Sequence, residues 1–191
     1  MRSWLLLPLL AACGEDVGPR PLHFELGICG VVDIFPEDPG AHAPQGSFIE
    51  WSTNPPTSGT HFPIWAQYDR TYGVLDRGFW VHNLEHGAIV LAHRCEDCPA
   101  EVAMLEDSIR AMPVDSACVA PVRQRAIIVT DPLLPIETPF AAIAWGSVYT
   151  STCIDPQAIA QFTSDSYGSA PEDICNDGAS LGGVPITPPL E

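Results

Sequence analysis

Two histidines and a carboxylate fall within five residues in His82-Asn83-Leu84-Glu85-His86, and Gly87 follows at once. On a helix, residues four apart share a face and can share one metal ion. The order His-x-x-Glu-His is that of inverted zinc proteases, in which the carboxylate activates a metal-bound water. Such a motif needs a helix of several turns. Gly87 and the apolar run Ala88-Ile89-Val90-Leu91-Ala92 leave room for one turn at most. In an extended segment His82 and His86 would still share a face, but roughly 13 Å apart at ~3.3 Å per residue, too far for one ion. Three readings follow: histidines that bond backbone groups and fix a turn, a metal site, or a hydrolytic centre with Glu85 as general base.

A second polar cluster, Asn54-Pro55-Pro56-Thr57-Ser58-Gly59-Thr60-His61, precedes the first. Its Pro-Pro and Ser-Gly pairs enforce a rigid loop with exposed amides. Gly59 and Gly87 permit backbone conformations that let both loops approach closely. We therefore expect His61, His82 and His86 to converge on one site, with Glu85 orienting an imidazole as a supporting acceptor. Three imidazoles favour Zn²⁺ or Cu²⁺. Met104 and Met112 both fall on a predicted helix, which argues against a thioether Cu⁺ site. Ser58 precedes a glycine, but the sequence has no G-x-S-x-G elbow for a nucleophilic serine.

The elements that must position these groups are short. Ser47–Trp51 reads as a first strand, Ala88–His93 as a continuous apolar strand, and Arg125–Thr130 and Ala141–Gly146 as two more. Pro99–Met112 reads as a helix with Val102, Leu105, Ile109 and Met112 on one face. Asp155 caps a second helix that starts at Pro156 and turns Ala158, Ile159 and Phe162 inward. The pattern predicts a single small α+β domain: a mixed β-sheet with two main helices and disulfide-stapled loops. The expected divisions are 1–12 signal peptide, 13–46 tether and irregular arm, 47–175 folded domain, and 176–191 disordered tail.

With 191 residues, one domain with a real core is expected. Twenty-four acids stand against eight arginines and no lysine, a formal net charge of −16. That balance argues against nucleic-acid partners, whose binding rests on neutralising phosphates. The basic lead Met1-Arg2-Ser3-Trp4 and the short apolar run Leu5–Ala12 read as a signal peptide, too short to span a bilayer. The junction Leu10-Ala11-Ala12-Cys13 resembles a bacterial lipobox, which implies cleavage before Cys13 and lipidation of its thiol. The expected location is the bacterial cell envelope, with the membrane as a partner through the N-terminal lipid and a metal ion or small ligand as the other.

Six further cysteines, Cys29, Cys95, Cys98, Cys118, Cys153 and Cys175, suit up to three disulfides in an oxidising compartment. The pairing is open. Cys95-Glu96-Asp97-Cys98 has C-x-x-C spacing, which leaves a structural disulfide, a zinc site and a thioredoxin-like redox pair as alternatives. A redox role would want the pair at a helix N-terminus inside a βαβ unit, and a helix does start at Pro99. The acids between the sulfurs would raise thiol pKa and argue against that role.

Several stretches together resemble one family. They are Asn54–His61, Val81–Gly87, Ala144-Trp145-Gly146, and the Asp155 helix followed by Ala170-Pro171-Glu172. In order and spacing they are similar to the domain-of-unknown-function family 3105 from about residue 47 to 172. The resemblance implies fold and an envelope location more than an activity. The cysteine-rich stretches around Cys95–Cys98 and Cys118 depart from the common pattern and suggest added stapling. The functions that remain are a lipid-anchored binding module with a His-based metal or small-ligand site, a metal-dependent envelope hydrolase, and a structural lipoprotein with no metal site. The lipobox reading has a direct check: Cys13→Ala should release the protein from the membrane fraction, and a variant that stays in it refutes lipidation.

Overall fold

The structure, a computed structural model, describes residues 22–186. The signal peptide and Cys13 lie outside these residues. Eight strands form one mixed sheet in the order β1-β2-β7-β6-β4-β5-β3-β8. The strands are β1 (Leu22–Leu26), β2 (Gly30–Ile34), β3 (Arg70–Val74), β4 (Ile89–His93), β5 (Ala126–Thr130), β6 (Phe140–Ala144), β7 (Ser147–Ser151) and β8 (Val184–Pro185). Three helices accompany them: α1 (Arg77–Glu85), α2 (Pro99–Arg110) and α3 (Pro156–Ser166). The α+β class and the mixed sheet agree with the sequence; the third helix, α1, is an addition to the two expected.

The central strands are buried on both faces, which is why they read as unbroken apolar runs. Alternate residues serve opposite layers. Val90, Ala92, Ile127 and Val129 pack with Trp80, Val81 and Leu84 of α1. Ile89, Leu91, Ala126 and Ile128 pack with Leu105 and Ile109 of α2 and with Ala158, Ile159 and Phe162 of α3. Strands β4 and β5 are parallel neighbours, so β4, α2 and β5 form a βαβ crossover. The antiparallel hairpin β6–β7 turns through Trp145-Gly146, and Gly146 there has φ +73°.

Three sequence expectations give way. Ser47–Trp51 is not a strand; the Trp51 indole instead donates to the Thr60 carbonyl at 2.9 Å and ties this stretch to the polar loop. Residues 22–34, expected within an irregular arm, form the β1–β2 hairpin, with β2 continuing the sheet against β7. Strand β1 is largely exposed and carries no buried alternation to read. In the stretch expected to be a disordered tail, β8 pairs with β3.

The six cysteines pair as Cys29–Cys153, Cys95–Cys98 and Cys118–Cys175. The first and third close spans of 124 and 57 residues, the second a span of 3. On the loop-entropy account the long pairs stabilise by about 4–5 kcal/mol each and the short one by about 2. The stapling therefore resides in the two long bridges.

Helix α1 is held by its ends and by a buried amide. Asp76 caps it by accepting from the Gly78 amide at 2.9 Å. At the other end Gly87 takes φ +81°. Its amide donates to Leu84 O at 2.9 Å and that of Ala88 to Asn83 O at 3.1 Å, the paired bonds of a Schellman stop. Asn83, fully buried, pairs with the backbone of Ala66 through both of its amide atoms, at 3.0 and 2.8 Å. Asn83→Leu should leave the Ala66 N–H and C=O buried without partners and cost about 2–4 kcal/mol. Urea unfolding should show a lower midpoint at unchanged slope, and an unchanged midpoint would show that this pairing does not stabilise the fold.

Candidate metal centre

Both polar motifs meet on the side of the sheet covered by α1. Phe62 N donates to Gly78 O at 2.9 Å, and Asn83 grips Ala66, so the chain from His61 to Ala66 lies along the helix. His82 and Glu85 project from α1 and His61 from the loop, and all three are buried. The expected single turn at His82–Gly87 is instead the last part of a nine-residue helix that begins upstream, at Arg77. Gly87, taken as evidence against a helix, is its stop signal.

A fourth residue completes the cluster. His42, on the exposed segment between Gly40 and Pro44, forms a bridge with His61: His61 N donates to Ala41 O at 2.9 Å and Ala43 N to His61 O at 2.8 Å. The rings of His42, His61 and His82 lie 4.6–5.0 Å apart, centroid to centroid. One ligand atom from each of His42, His61, His82 and Glu85 lies within 4.8 Å of the other three. His86 takes a different place. Its ring is 4.6 Å from that of His82, but its ligand-distance set is Glu85, His86 and Glu172, and its Nε2 is 3.1 Å from Glu172 Oε2. The structure thus brings together His61, His82 and Glu85 as expected, adds His42, and moves His86 to the flank. Sequence reasoning missed His42 because a long-range bridge places it; its one local signal is a histidine in a Pro/Gly-rich segment with no apolar periodicity.

Hydrogen bonds fix which ring nitrogens face the cluster. His61 Nδ1 lies 2.9 Å from the Gly59 carbonyl and His82 Nδ1 2.7 Å from the Phe62 carbonyl. A carbonyl only accepts, so both Nδ1 atoms carry hydrogen, and in the neutral rings both Nε2 atoms present lone pairs. His61 Nε2 is 2.9 Å from Glu85 Oε2, yet the contact misses hydrogen-bond geometry and the atom is buried with no other partner. A lone pair held that near a carboxylate oxygen calls for a proton or a cation between them.

Burial pushes the His82 pKa down to about 4, reinforced by the His86 and His61 rings. It does the same for His86, also to about 4, with His61 and Arg125 adding to the effect. Both rings are therefore neutral at pH 7. The Trp65 ring stands 4.5 Å from His86 and 5.1 Å from His82 and walls the cluster with apolar surface.

Space is set by a glycine. A Cβ on Gly40 would overlap Glu85 Oε1 and lie 3.6 Å from His61 Cε1. Gly40, Ala41, His42, His61, Glu85 and Glu172 line a cavity of ≈ 160 Å³ that opens the cluster to solvent. Thr57 and Ser58 are architecture: Gly146 N donates to Thr57 O at 2.9 Å and Asp38 N to Ser58 Oγ at 2.8 Å. Among the described residues two other groups have metal-ligand proximity, His93 with Cys95 and Cys98, and Asp115 with Cys118 and Cys175. Their sulfurs are tied up as disulfides and offer no thiolate.

The two depressed imidazoles have a thermodynamic consequence. In the unfolded chain they bind protons near pH ~6.5, and in the fold only near pH 4, so the unfolded state holds more protons between these values. Their contribution to stability is complete above pH ~6.5 and is lost as pH falls toward 4. In chelator-treated protein, the unfolding free energy should fall over that window, and less steeply in His86→Gln. Equal slopes in the two proteins would contradict the burial of neutral imidazole.

Among the described residues no helix is long and apolar enough to cross a membrane. No curated protein and no solved structure matches this chain. A family model described as protein of unknown function (DUF3105) matches residues 42–178, a span that starts at His42 and takes in every residue of the cluster. The chain belongs to that family.

Proposed function

We propose that this protein is a lipid-anchored envelope module that binds a divalent transition-metal ion, Zn²⁺ or Cu²⁺, through His42, His61, His82 and Glu85. The observation that carries the reading is the pair of Nδ1–H···O=C bonds from His61 and His82. Metal-ligating histidines commonly donate their other ring N–H to a carbonyl or carboxylate, which fixes tautomer and orientation. Three imidazoles and one carboxylate match the ligand types and number of a four-coordinate Zn²⁺ site, and imidazole suits Cu²⁺ equally. His82 is neutral at pH 7, so it ligates without first losing a proton. His86 and Glu172 stand beside the site as a second pair able to hold or orient a water.

The cavity supports binding over turnover of a large substrate. Its ≈ 160 Å³ admits an ion with a few waters, whereas pockets for drug-sized ligands run to about 300–1,000 Å³. The acidic surface, with 24 acids and 8 basic residues, would raise the local concentration of cations.

The test is titration calorimetry with Zn²⁺ and with Cu²⁺ on chelator-treated protein. Wild type should bind one equivalent. His82→Ala should lose about 100-fold or more in affinity, and His86→Ala, outside the four-ligand set, about 10-fold or less. Gly40→Ala should keep its fold, because the Glu85 carboxylate can swing away, but should bind at least about 10-fold more weakly. Equal affinities in all four proteins, or a wild type that binds neither ion, would overturn the reading.

A further inference from the structure

The sequence motif that the metal centre does not absorb is Cys95-Glu96-Asp97-Cys98. We infer that Cys95–Cys98 is an exchangeable, redox-active disulfide that accepts electrons from a dithiol partner, with His93 as its positioning residue.

Four observations converge on it. First, topology: β4 runs into the pair, α2 starts at Pro99 immediately after Cys98, and β5 returns parallel to β4. A C-x-x-C pair at the N-terminus of the crossover helix in a βαβ unit is the placement that thiol–disulfide exchange chemistry uses, because the helix start favours a thiolate. Cys98 is the residue that caps α2, and in the disulfide its side chain makes no capping hydrogen bond.

Second, a buried imidazole addresses both sulfurs. His93, 4% exposed, ends β4. Its Nδ1 lies 3.3 Å from Cys95 Sγ and 3.7 Å from Cys98 Sγ. The same nitrogen is 3.0 Å from the Cys95 carbonyl, so it carries the hydrogen and can turn that donor to a sulfur anion when one forms.

Third, accessibility: Cys95 and Cys98 are half-exposed, and Glu96 and Asp97 between them are exposed. The two acids oppose a thiolate through solvent, where salt weakens them, while the imidazole and the helix start act at close range. Fourth, the bridge closes a span of 3 residues, against 124 and 57 for the other two, so it is poorly suited to stapling.

The exchange balances as follows. A thiolate of the partner dithiol attacks Cys95 Sγ; the Sγ–Sγ bond breaks and its electron pair leaves on Cys98, the sulfur at the helix start. The partner's second thiolate then attacks the partner's own sulfur in the mixed disulfide and expels the Cys95 thiolate. One disulfide has formed in the partner and one has opened here. Two electrons have passed to this protein, and the two protons given up by the partner end on Cys95 and Cys98. This centre and the histidine cluster lie at opposite ends of β4, so either assignment stands without the other.

The experiment uses the full folded chain, with dithiothreitol as the dithiol. Oxidised protein is equilibrated with graded ratios of reduced to oxidised dithiothreitol, quenched by alkylation, and each cysteine is scored by peptide mass spectrometry. Cys95 and Cys98 should open at a ratio at least tenfold lower than the other four cysteines, with the circular dichroism spectrum intact. The native pair should also open at least tenfold faster than the same disulfide in a peptide of residues 91–100, and His93→Ala should remove most of that advantage. Cys98→Ser treated with oxidised glutathione should hold glutathione on Cys95. The inference is overturned if all three disulfides open together, or if the native pair reacts no faster than the peptide. Both readouts use wild type, so a variant that fails to fold does not rescue the idea.

Discussion

The hydrogen bond from His82 Nδ1 to the Phe62 carbonyl is the constraint on which the rest of the site depends. It joins helix α1 to the chain that follows the Asn54–His61 loop and leaves Nε2 with a lone pair. Burial keeps the ring neutral, and a neutral imidazole has one donor and one acceptor to place. With the donor committed to backbone, Nε2 is the one ring atom left to accept a proton or a cation. His61 repeats the arrangement with the Gly59 carbonyl. Two independent rings, from a helix and from a loop, thus each donate Nδ1–H to a backbone carbonyl, and their centroids lie 4.6 Å apart.

The supporting parts can be read as means to that end. Asn83 and the Gly78 carbonyl hold the loop against the helix. Gly87 stops the helix and sends the chain into β4, where a Cβ would strike Gly168 at 2.8 Å. Arg125, only 4% exposed, donates to the His86 carbonyl at 2.9 Å and pairs with Asp115 and Asp173, so the negative end of α1 faces a guanidinium. Burial alone would disfavour that charge. Its bonds to Tyr167 and Asp173 outweigh the penalty and raise its pKa.

Much of this was legible in the sequence, and each exception has its own physical cause. The runs at β4, β5 and β6 announced themselves because strands covered on both faces are apolar throughout. Helices α2 and α3 carry one apolar face and a Pro start, and Asp155 caps α3 through its side chain. Helix α1 was hidden because it is buried nearly all round, from Gly78 to Glu85, so no amphipathic period marks it. The exposed strand β1 carries no buried alternation to read, and the bridge that brings His42 to His61 is fixed by a partner outside its own segment. The spacing His82-x-x-Glu85-His86 named two of the four residues whose side chains cluster, His82 and Glu85. It could not show that His86 would turn toward Glu172, because that choice depends on where residue 172 returns.

If His42, His61, His82 and Glu85 hold one metal ion, as proposed above, anomalous diffraction at the zinc edge, from crystals of protein equilibrated with one equivalent of Zn²⁺, will locate it. The expected map has one dominant peak enclosed by the side chains of His42, His61, His82 and Glu85, about 2.0–2.2 Å from the nearest nitrogens and oxygen. A map with no peak in the cluster, or with zinc held only by surface carboxylates, would contradict it.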